Sequence, residues 1–509
     1  MSLDLSNYSD LLRALSPEAL LTVLALVVLL LVAWRHRTAA DLRMAGVATL
    51  VTLGATAAAV WWLWWNRAEV EGIASMIAVD DFRFVVDWIL LGAAALTVLF
   101  SFRYLEREGL LAPEYYPLLL LALLGMMLMA GGEDLMVIFL GLELMSVSVY
   151  VLAGFNRRSA RSAEAALKYF LLGAFASAFL LYGIALIYGA TGTTNLTFIG
   201  VQVSSLGIAH LPLLLAGIGL LLVGFGFKVA AVPFHMWAPD VYDGAPTPIT
   251  GFMATGVKAA AFAALFRVVI EAFGPAAGWS TVIAGLAVAT MIGGNVVALA
   301  QRSLKRMLAY SSIAHAGYLL VAVTAAGAGS AAFLVYLVAY TLTTLAAFAL
   351  LAAKGRGGES EVRIDDLAGL AATRPGLALA LTIVMLSLLG FPGTAGFIGK
   401  WYILVAALGA GHPALAVILV LTSVVSAGYY LPVVMAMYMK PAPGPEAHAG
   451  VTLDVPARAA LLVSVLGILW IGVAPSRLLD LSRDTVATLH AVRGVSASAP
   501  DSTTGPALH

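Results

Sequence analysis

The stretches Gly224–Pro233 (GFGFKVAAVP) and Gly390–Lys400 (GFPGTAGFIGK) each interrupt a long apolar run with glycine, proline and one lysine. Proline removes a backbone donor and glycine weakens a helix, so each run is expected to be a broken helix. Irregular backbone at membrane depth is tolerated only where protein buries it or where it lines water. The lysines themselves are a second anomaly. Lys258 and Glu143 are stranded in apolar runs in the same way as Lys228 and Lys400. An ionisable group at mid-bilayer costs roughly 2.5–3.5 kcal/mol and usually marks an ion or proton path.

The surrounding sequence makes this depth real. The chain has 509 residues, of which 61% are hydrophobic and 11% charged, against about 25% charged in a soluble domain. It reads as an all-α polytopic membrane protein. Apolar runs of about 17–25 residues qualify as spans. Fourteen are expected, near 18–34, 44–65, 84–104, 116–132, 134–155, 164–189, 211–237, 246–270, 277–299, 305–326, 329–353, 375–408, 413–439 and 457–474. The basic residues test that count. Odd-numbered loops carry Arg35, Arg37, Arg43, Arg103, Arg107, Arg157, Arg158, Arg161, Arg302, Lys305, Arg306, Lys354, Arg356, Arg363, Arg374, Lys440 and Arg458; even-numbered loops carry only Arg67, Arg83 and Arg267. The positive-inside rule then makes the odd loops cytoplasmic and puts both termini on the outer side.

Several functions are excluded by what the chain lacks. Lys+Arg and Asp+Glu balance at 28 each, which gives no reason to expect a nucleic-acid partner. With no cysteine there is no disulfide, thiolate-held cluster or cysteine nucleophile. The glycine-rich stretches have no nucleotide-binding context, and His-rich metal spacing is absent. Met1–Pro17 has no basic n-region or small-residue cleavage site, so no cleaved signal peptide is expected. The polar interval Lys354–Arg374 has room for a short interfacial helix at Ile364–Ala372. The tail after Pro475 begins amphipathic (Leu478, Leu479, Leu481, Val486, Leu489) and ends in a small, polar stretch, Val495–His509.

Breaks in spans 7 and 12, five spans apart, suggest two five-helix repeats, spans 4–8 and 9–13. Five is odd, so successive copies would be inverted, a transporter pattern. The expected organisation is a three-helix segment 1–113, a first repeat 114–272, a second inverted repeat 273–440, and the last span with its tail 441–509.

Glu143 lies nine residues past Asp134, about 13–14 Å at 1.5 Å per residue, and Lys258 lies ten past Pro248, about 15 Å. Neither reaches a headgroup easily. The structural alternative is pairing of the lysines with carboxylates or with carbonyls freed at the breaks. Glu143 reads as the only carboxylate deep in a span, too few for three lysines. Lys168, four residues into span 6, could instead anchor at the interface. His315 lies in Ser311-Ser312-Ile313-Ala314-His315, between two lysine-bearing spans, and reads equally as a satisfied core residue or a relay. His235 and Trp237 read as structural, and Trp61–Trp65 as an interfacial aromatic belt.

The segments Asp134–Tyr150 (DLMVIFLGLELMSVSVY), Ser162–Gly183 (SAEAALKYFLLGAFASAFLLYG), Gly224–Lys258 (GFGFKVAAVPFHMWAPDVYDGAPTPITGFMATGVK), Met307–Tyr318 (MLAYSSIAHAGY) and Gly390–Lys400 closely resemble the subunit N family of NADH-quinone oxidoreductase, respiratory complex I. The resemblance covers spans 4–13. It implies an antiporter-like subunit that moves protons and carries no cofactor of its own, with NADH, FMN, iron–sulfur clusters and quinone in other subunits. It implies a bacterial inner membrane and, as partners, a neighbouring antiporter-like subunit and small membrane subunits. The family's span-5 glutamate falls on Glu143, its span-6 lysine on Lys168, its broken-helix lysines on Lys228 and Lys400, and its relay lysine on Lys258. With His315 these are the six expected proton-transfer residues. A carboxylate that approaches Lys228 favours its charged form, and one drawn off towards Lys168 lets the proton go. Two alternatives share the same residues: a subunit of a Na⁺/H⁺ antiporter, and a non-conducting scaffold.

Overall fold

The computed structural model describes residues 8–35, 38–67, 76–205, 211–273, 278–354, 362–442, 444, 448, 451 and 453–485. Among the described residues there is no β-strand. The helices run in order α1 Tyr8–Ala14, α2 Ser16–Trp34, α3 Ala39–Trp65, α4 Asp81–Arg107, α5 Tyr115–Gly131, α6 Leu135–Ala153, α7 Ala160–Thr191 and α8 Leu196–Ser205. They continue as α9 Pro212–Val229, α10 Ala238–Gly244, α11 Thr247–Phe252, α12 Lys258–Glu271, α13 Trp279–Leu299, α14 Leu304–Thr324 and α15 Ala326–Lys354. The last are α16 Leu370–Thr373, α17 Pro375–Leu389, α18 Ala395–Gly409, α19 Pro413–Met439 and α20 Val455–Val473. A π-helical turn, Met253–Val257, joins α11 to α12 within one continuous span.

Local chemistry places the ends. Thr38 and Asp41 form a capping box for α3, and the side chains of Asp80, Asp134, Ser303 and Asp454 accept backbone N–H bonds at the starts of α4, α6, α14 and α20. Each satisfies a donor that the first helical turn would leave unpaired.

Twelve helices among the described residues are long and apolar enough to cross a membrane. Two of the expected spans take another form. The fourth is the 17-residue α5, and the twelfth is split into α17 and α18, of 15 residues each. Helices pair through bare backbone. At Gly125 of α5 an added Cβ would stand 2.4 Å from the Met145 nitrogen of α6, and at Gly294 of α13 one would stand 2.6 Å from the Ala314 nitrogen of α14. Small residues of this kind let membrane helices approach closely.

The core helices are Thr247–Glu271, Leu304–Thr324 and α15, whose apolar stretches are 94%, 94% and 89% buried; α2 and α20 are each 33% buried. Three helices thus form the centre of the bundle, wrapped by the rest.

Both expected breaks occur, with a shift in position. α9 runs unbroken through Gly224 and Gly226 and ends at Val229; Ala230 then turns left-handed (φ 58°), and α10 begins only at Ala238. The glycines serve packing: a Cβ at Gly226 would meet the Phe234 ring at 2.6 Å. In the other break, Gly390 and Gly393 have φ of 89° and 86°, a conformation glycine adopts without strain. Lys228 precedes its break and Lys400 follows its own, so the two positions do not correspond as a simple repeat suggests.

Some basic residues read as loop charges are buried. Arg83 and Arg267 are wholly buried inside α4 and α12, and Lys305 is buried near the start of α14. Arg37 and Arg356 lie outside the described residues. The short segments Ile364–Leu367 and α16 occupy the expected interfacial stretch. Residues 476–485 continue the amphipathic start of the tail, with Leu479 buried and Leu481 exposed; Val486, Leu489 and Val495–His509 lie outside the described residues.

Candidate functional site

Lys228, Lys258 and Lys400 are 2%, 1% and 6% exposed. Lys228 Nζ, in the last turn of α9, donates to Ser146 Oγ at 2.7 Å and lies 3.5 Å from the Tyr150 hydroxyl. It sits over the rings of Tyr150, Tyr169 and Phe227 at 5.2, 5.3 and 5.8 Å. The Ser146 hydroxyl itself donates a hydrogen bond to the Leu142 carbonyl. Lys258 follows directly on the π-helical turn, and its Nζ donates to Ser312 O at 2.8 Å and Oγ at 2.6 Å. π-bulges are frequent at functional sites because they re-aim a side chain without ending the helix. Lys400 donates to the carbonyls of Leu388 and Leu389, at 3.0 and 2.9 Å, which the break in the helix leaves free.

His315 lies three residues beyond Ser312. Its Nδ1 is 2.5 Å from the Tyr336 hydroxyl and its Nε2 is 3.1 Å from that of Tyr430, which pairs with Ser311. Ser312 Oγ is 2.7 Å from the Tyr340 hydroxyl. Tyr336 and Tyr340 stack at 6.4 Å, one turn apart on α15. His315 is within electrostatic reach of both Lys258 and Lys400, and Lys400 Nζ lies 4.8 Å over the Tyr318 ring. Lys258, His315 and Lys400 thus share one hydroxyl-rich core. An aromatic stack fills the distance from there to Lys228: Tyr169 on Trp237 at 4.4 Å, then Trp237 edge-on to Tyr242 at 5.7 Å. Trp237 Nε1 also donates to the Phe227 carbonyl at 2.9 Å.

Glu143 is placed differently from its expected pairing. It is half-buried on the perimeter of α6, between exposed Leu140 and Val147, and accepts from Ser177 Oγ at 2.5 Å. Among the described residues none of Lys228, Lys258 and Lys400 forms an ion pair, so Glu143 is not within 4 Å of Lys228. Lys168 is held elsewhere, by Glu164 at 2.7 Å and Asp240 at 2.8 Å.

Asp240 also accepts from Arg306 at 3.0 Å, and Asp243 pairs with Arg161. The short helix after the break supplies both aspartates, which sequence reading passed over. The signal was the Pro239-Asp240-Val241-Tyr242-Asp243-Gly244 run, polar just where an apolar span resumes. Burial raises the Asp240 carboxyl, but the hydrogen bonds from Lys168 and Arg306 hold it below the ordinary aspartate range. Its pairing is therefore complete above about pH 3.9 and is lost only as pH falls through the lowered value. Asp240→Asn should destabilise the assembled protein by no more than about 1 kcal/mol, because the pair is well exposed. It should also leave Lys168 with Glu164 as its one carboxylate partner among the described residues, read as a changed pH profile of turnover with little change in melting temperature.

Two buried carboxylates were also missed: Asp87, wholly buried in α4 beside Arg83, and Glu18 in α2, 3% exposed. Asp87 corrects the expectation that Glu143 alone lies deep in a span. Three residues inside the expected edge, Asp87 looked interfacial; its i,i+4 spacing from Arg83 was the available clue. Among the described residues no group of three or more histidines, aspartates or glutamates could hold a metal ion.

A helical membrane protein with broken helices and a line of interior lysines belongs to the antiporter-like class. The description NADH:quinone oxidoreductase/Mrp antiporter, TM fits residues 132–426. A NADH-quinone oxidoreductase subunit N from Trichlorobacter lovleyi is 47% identical over 93% of this chain and 97% of its own length. A chain of respiratory complex I from Thermus thermophilus superposes with a TM-score of 0.75 at 39% identity, over 91% of this chain and 98% of that one. A chain of the Mrp complex from Dietzia sp. shares the fold alone, with a TM-score of 0.81 at 23% identity over 94% and 98% of the two chains. The chain belongs to the NADH-quinone oxidoreductase subunit N family.

Proposed function

We propose that this chain is a proton-translocating membrane-arm subunit of a NADH:quinone oxidoreductase and performs no redox chemistry itself. The observation that carries this reading is three interior lysines bonded to hydroxyls and carbonyls, none with a carboxylate partner among the described residues. A buried cation without a counter-charge is costly, and exchanging its proton relieves the cost. Lysine does this readily, whereas arginine does not.

In this reading protons move along Lys228, Lys258, His315 and Lys400, with Ser312, Tyr336, Tyr340 and Tyr430 as bridging hydroxyls and water in the broken helices. Glu143 and Lys168 set the charge near Lys228. The perimeter position of Glu143 suits control from a neighbouring antiporter-like or small membrane subunit. Moving one charge against 100 mV costs about 2.3 kcal/mol, and a change of two pKa units supplies about 2.7. Modest changes in pairing are large enough.

The same reading counts α5 as one span and α17 with α18 as another, giving fourteen, with both termini on the outer side of a bacterial inner membrane. It groups 114–272 and 273–440 as inverted five-helix repeats, flanked by 1–113 and 441–509. NADH, FMN, iron–sulfur clusters and quinone belong to the other subunits. The 47% identity to a subunit N, against 23% to an Mrp chain, favours complex I over an independent Na⁺/H⁺ antiporter.

Lys258→Ala in the assembled complex should abolish proton uptake coupled to quinone reduction. Parental pumping in that variant would leave the scaffold reading standing.

A further inference from the structure

A second buried set of charges lies at the end of the bundle where the basic-poor loops sit. Arg83, wholly buried, donates to Glu18 at 2.7 and 2.8 Å and to the carbonyls of Ala78 and Ala14 at 2.7 and 2.9 Å. Gly131 leaves it room: a Cβ there would stand 2.9 Å from Arg83 Cδ. One turn further along α4 is Asp87, also wholly buried. Its Oδ2 is 3.6 Å from Arg83 Nε, and neither of its oxygens has a hydrogen-bond partner among the described residues. Arg267, on α12, donates to Asp80 at 2.7 and 3.0 Å and to Glu271 at 2.8 Å. Glu133 borders the same set. Asp80, Glu133 and Glu271 are only partly buried and open it to the surface.

The carboxylates here outnumber Arg83 and Arg267, and arginine does not give up its proton. A buried carboxylate without hydrogen bonds is the group most relieved by taking a proton. Asp87 is that group, and the charges facing it are Arg83, Glu18, Asp80 and Arg267. A metal ion does not suit the set, since no three of its acids are placed to ligate one.

The set also lies in line with the lysines. Arg267 is nine residues beyond Lys258 on the same helix, about 13–14 Å. Between them Phe262, Phe266, Phe82 and Phe333 close the interior, with Phe266 on Phe333 at 4.6 Å and on Phe82 at 5.6 Å. An aromatic layer thus separates Lys258 from the charged set around Arg83 and Arg267.

We propose that Asp87, set among Arg83, Glu18 and Asp80, is the carboxyl from which a translocated proton leaves the chain. The step rests on the proton-translocating reading above. The Lys258 ammonium loses one proton, water admitted past the phenylalanines carries it, and the Asp87 carboxylate binds it. The carboxyl then releases the same proton past Asp80, Glu133 and Glu271, the Lys258 amine takes up the next proton from the interior line of Lys228, His315 and Lys400, and the charges return to their starting values.

The test uses the whole complex in sealed vesicles with Asp87→Asn, Asp87→Glu and Lys258→Ala. Asp87→Asn should assemble, slow proton-coupled quinone reduction by about tenfold, and lose the dependence of rate on pH at the release side. Asp87→Glu should restore both. Parental rate and parental pH dependence in Asp87→Asn would overturn the proposal, as would failure of both Asp87 variants to assemble, which would make Asp87 a packing charge. If Lys258→Ala also pumps at the parental rate, the translocation reading fails with it.

Discussion

Replacing Lys228 with methionine should leave the complex assembled and lower proton-coupled quinone reduction by roughly tenfold or more. Methionine nearly matches the stem of lysine, so the ring faces of Tyr150, Tyr169 and Phe227 stay covered. A volume-conserving core exchange usually costs less than about 1.5 kcal/mol. Here it also removes a buried cation that has no ion-pair partner among the described residues. Stability is therefore expected to hold while function fails. Lys228→Arg sharpens the test. Arginine keeps the charge but does not release its proton at any working pH, so it should be as inactive as methionine. Full activity in Lys228→Arg would make the residue a fixed charge, and full activity in Lys228→Met would make it packing. Turnover and proton uptake measured together separate these outcomes.

Gly396→Ala should be the most damaging alanine substitution among the glycines of the described residues. A Cβ at Gly396 would stand 1.8 Å from the Ser387 carbonyl oxygen, far inside contact distance, and its neighbour there is backbone that cannot rotate away. Gly396 N–H also donates to Ser387 Oγ at 3.2 Å, which ties α18 to α17 at the same point. α17 and α18 must then separate, at a cost of about 3 kcal/mol or more. Separation would withdraw the Leu388 and Leu389 carbonyls that hold Lys400. The expected result is a sharp fall in assembled subunit, with the residual protein inactive. Parental levels of assembled, active complex would show that the break is looser than its geometry implies. Gly376, with nothing within 4 Å of an added Cβ, is the matched control and should tolerate alanine.

The two kinds of residue in these experiments were not equally legible in the sequence. Lys228, Lys258 and Lys400 stand out against an apolar background, because a charge in a membrane span is rare and has few innocent explanations. The breaks stood out for the same kind of reason, since glycine and proline act on the backbone wherever they occur. Their edges did not. α9 continues through Gly224 and Gly226 because helical glycines there admit Leu180 and Phe234, and the chain turns only after Lys228. Packing between helices overrode local propensity.

Composition, hydrophobic run length and stranded charges are properties of the chain taken one segment at a time, and they were enough to determine a polytopic helical protein with broken helices and interior lysines. Which groups face one another is set by helix rotation and by contacts between residues distant in sequence, and only the tertiary structure decided it. It turned Glu143 to the perimeter and gave Lys168 to Asp240 and Glu164. It set Lys258 on Ser312 and His315 between Tyr336 and Tyr430. It also buried Asp87 and Arg83 where the loops had seemed to begin. A charge announces its cost along the chain, but its partner comes from another helix, through a rotation that no single segment encodes.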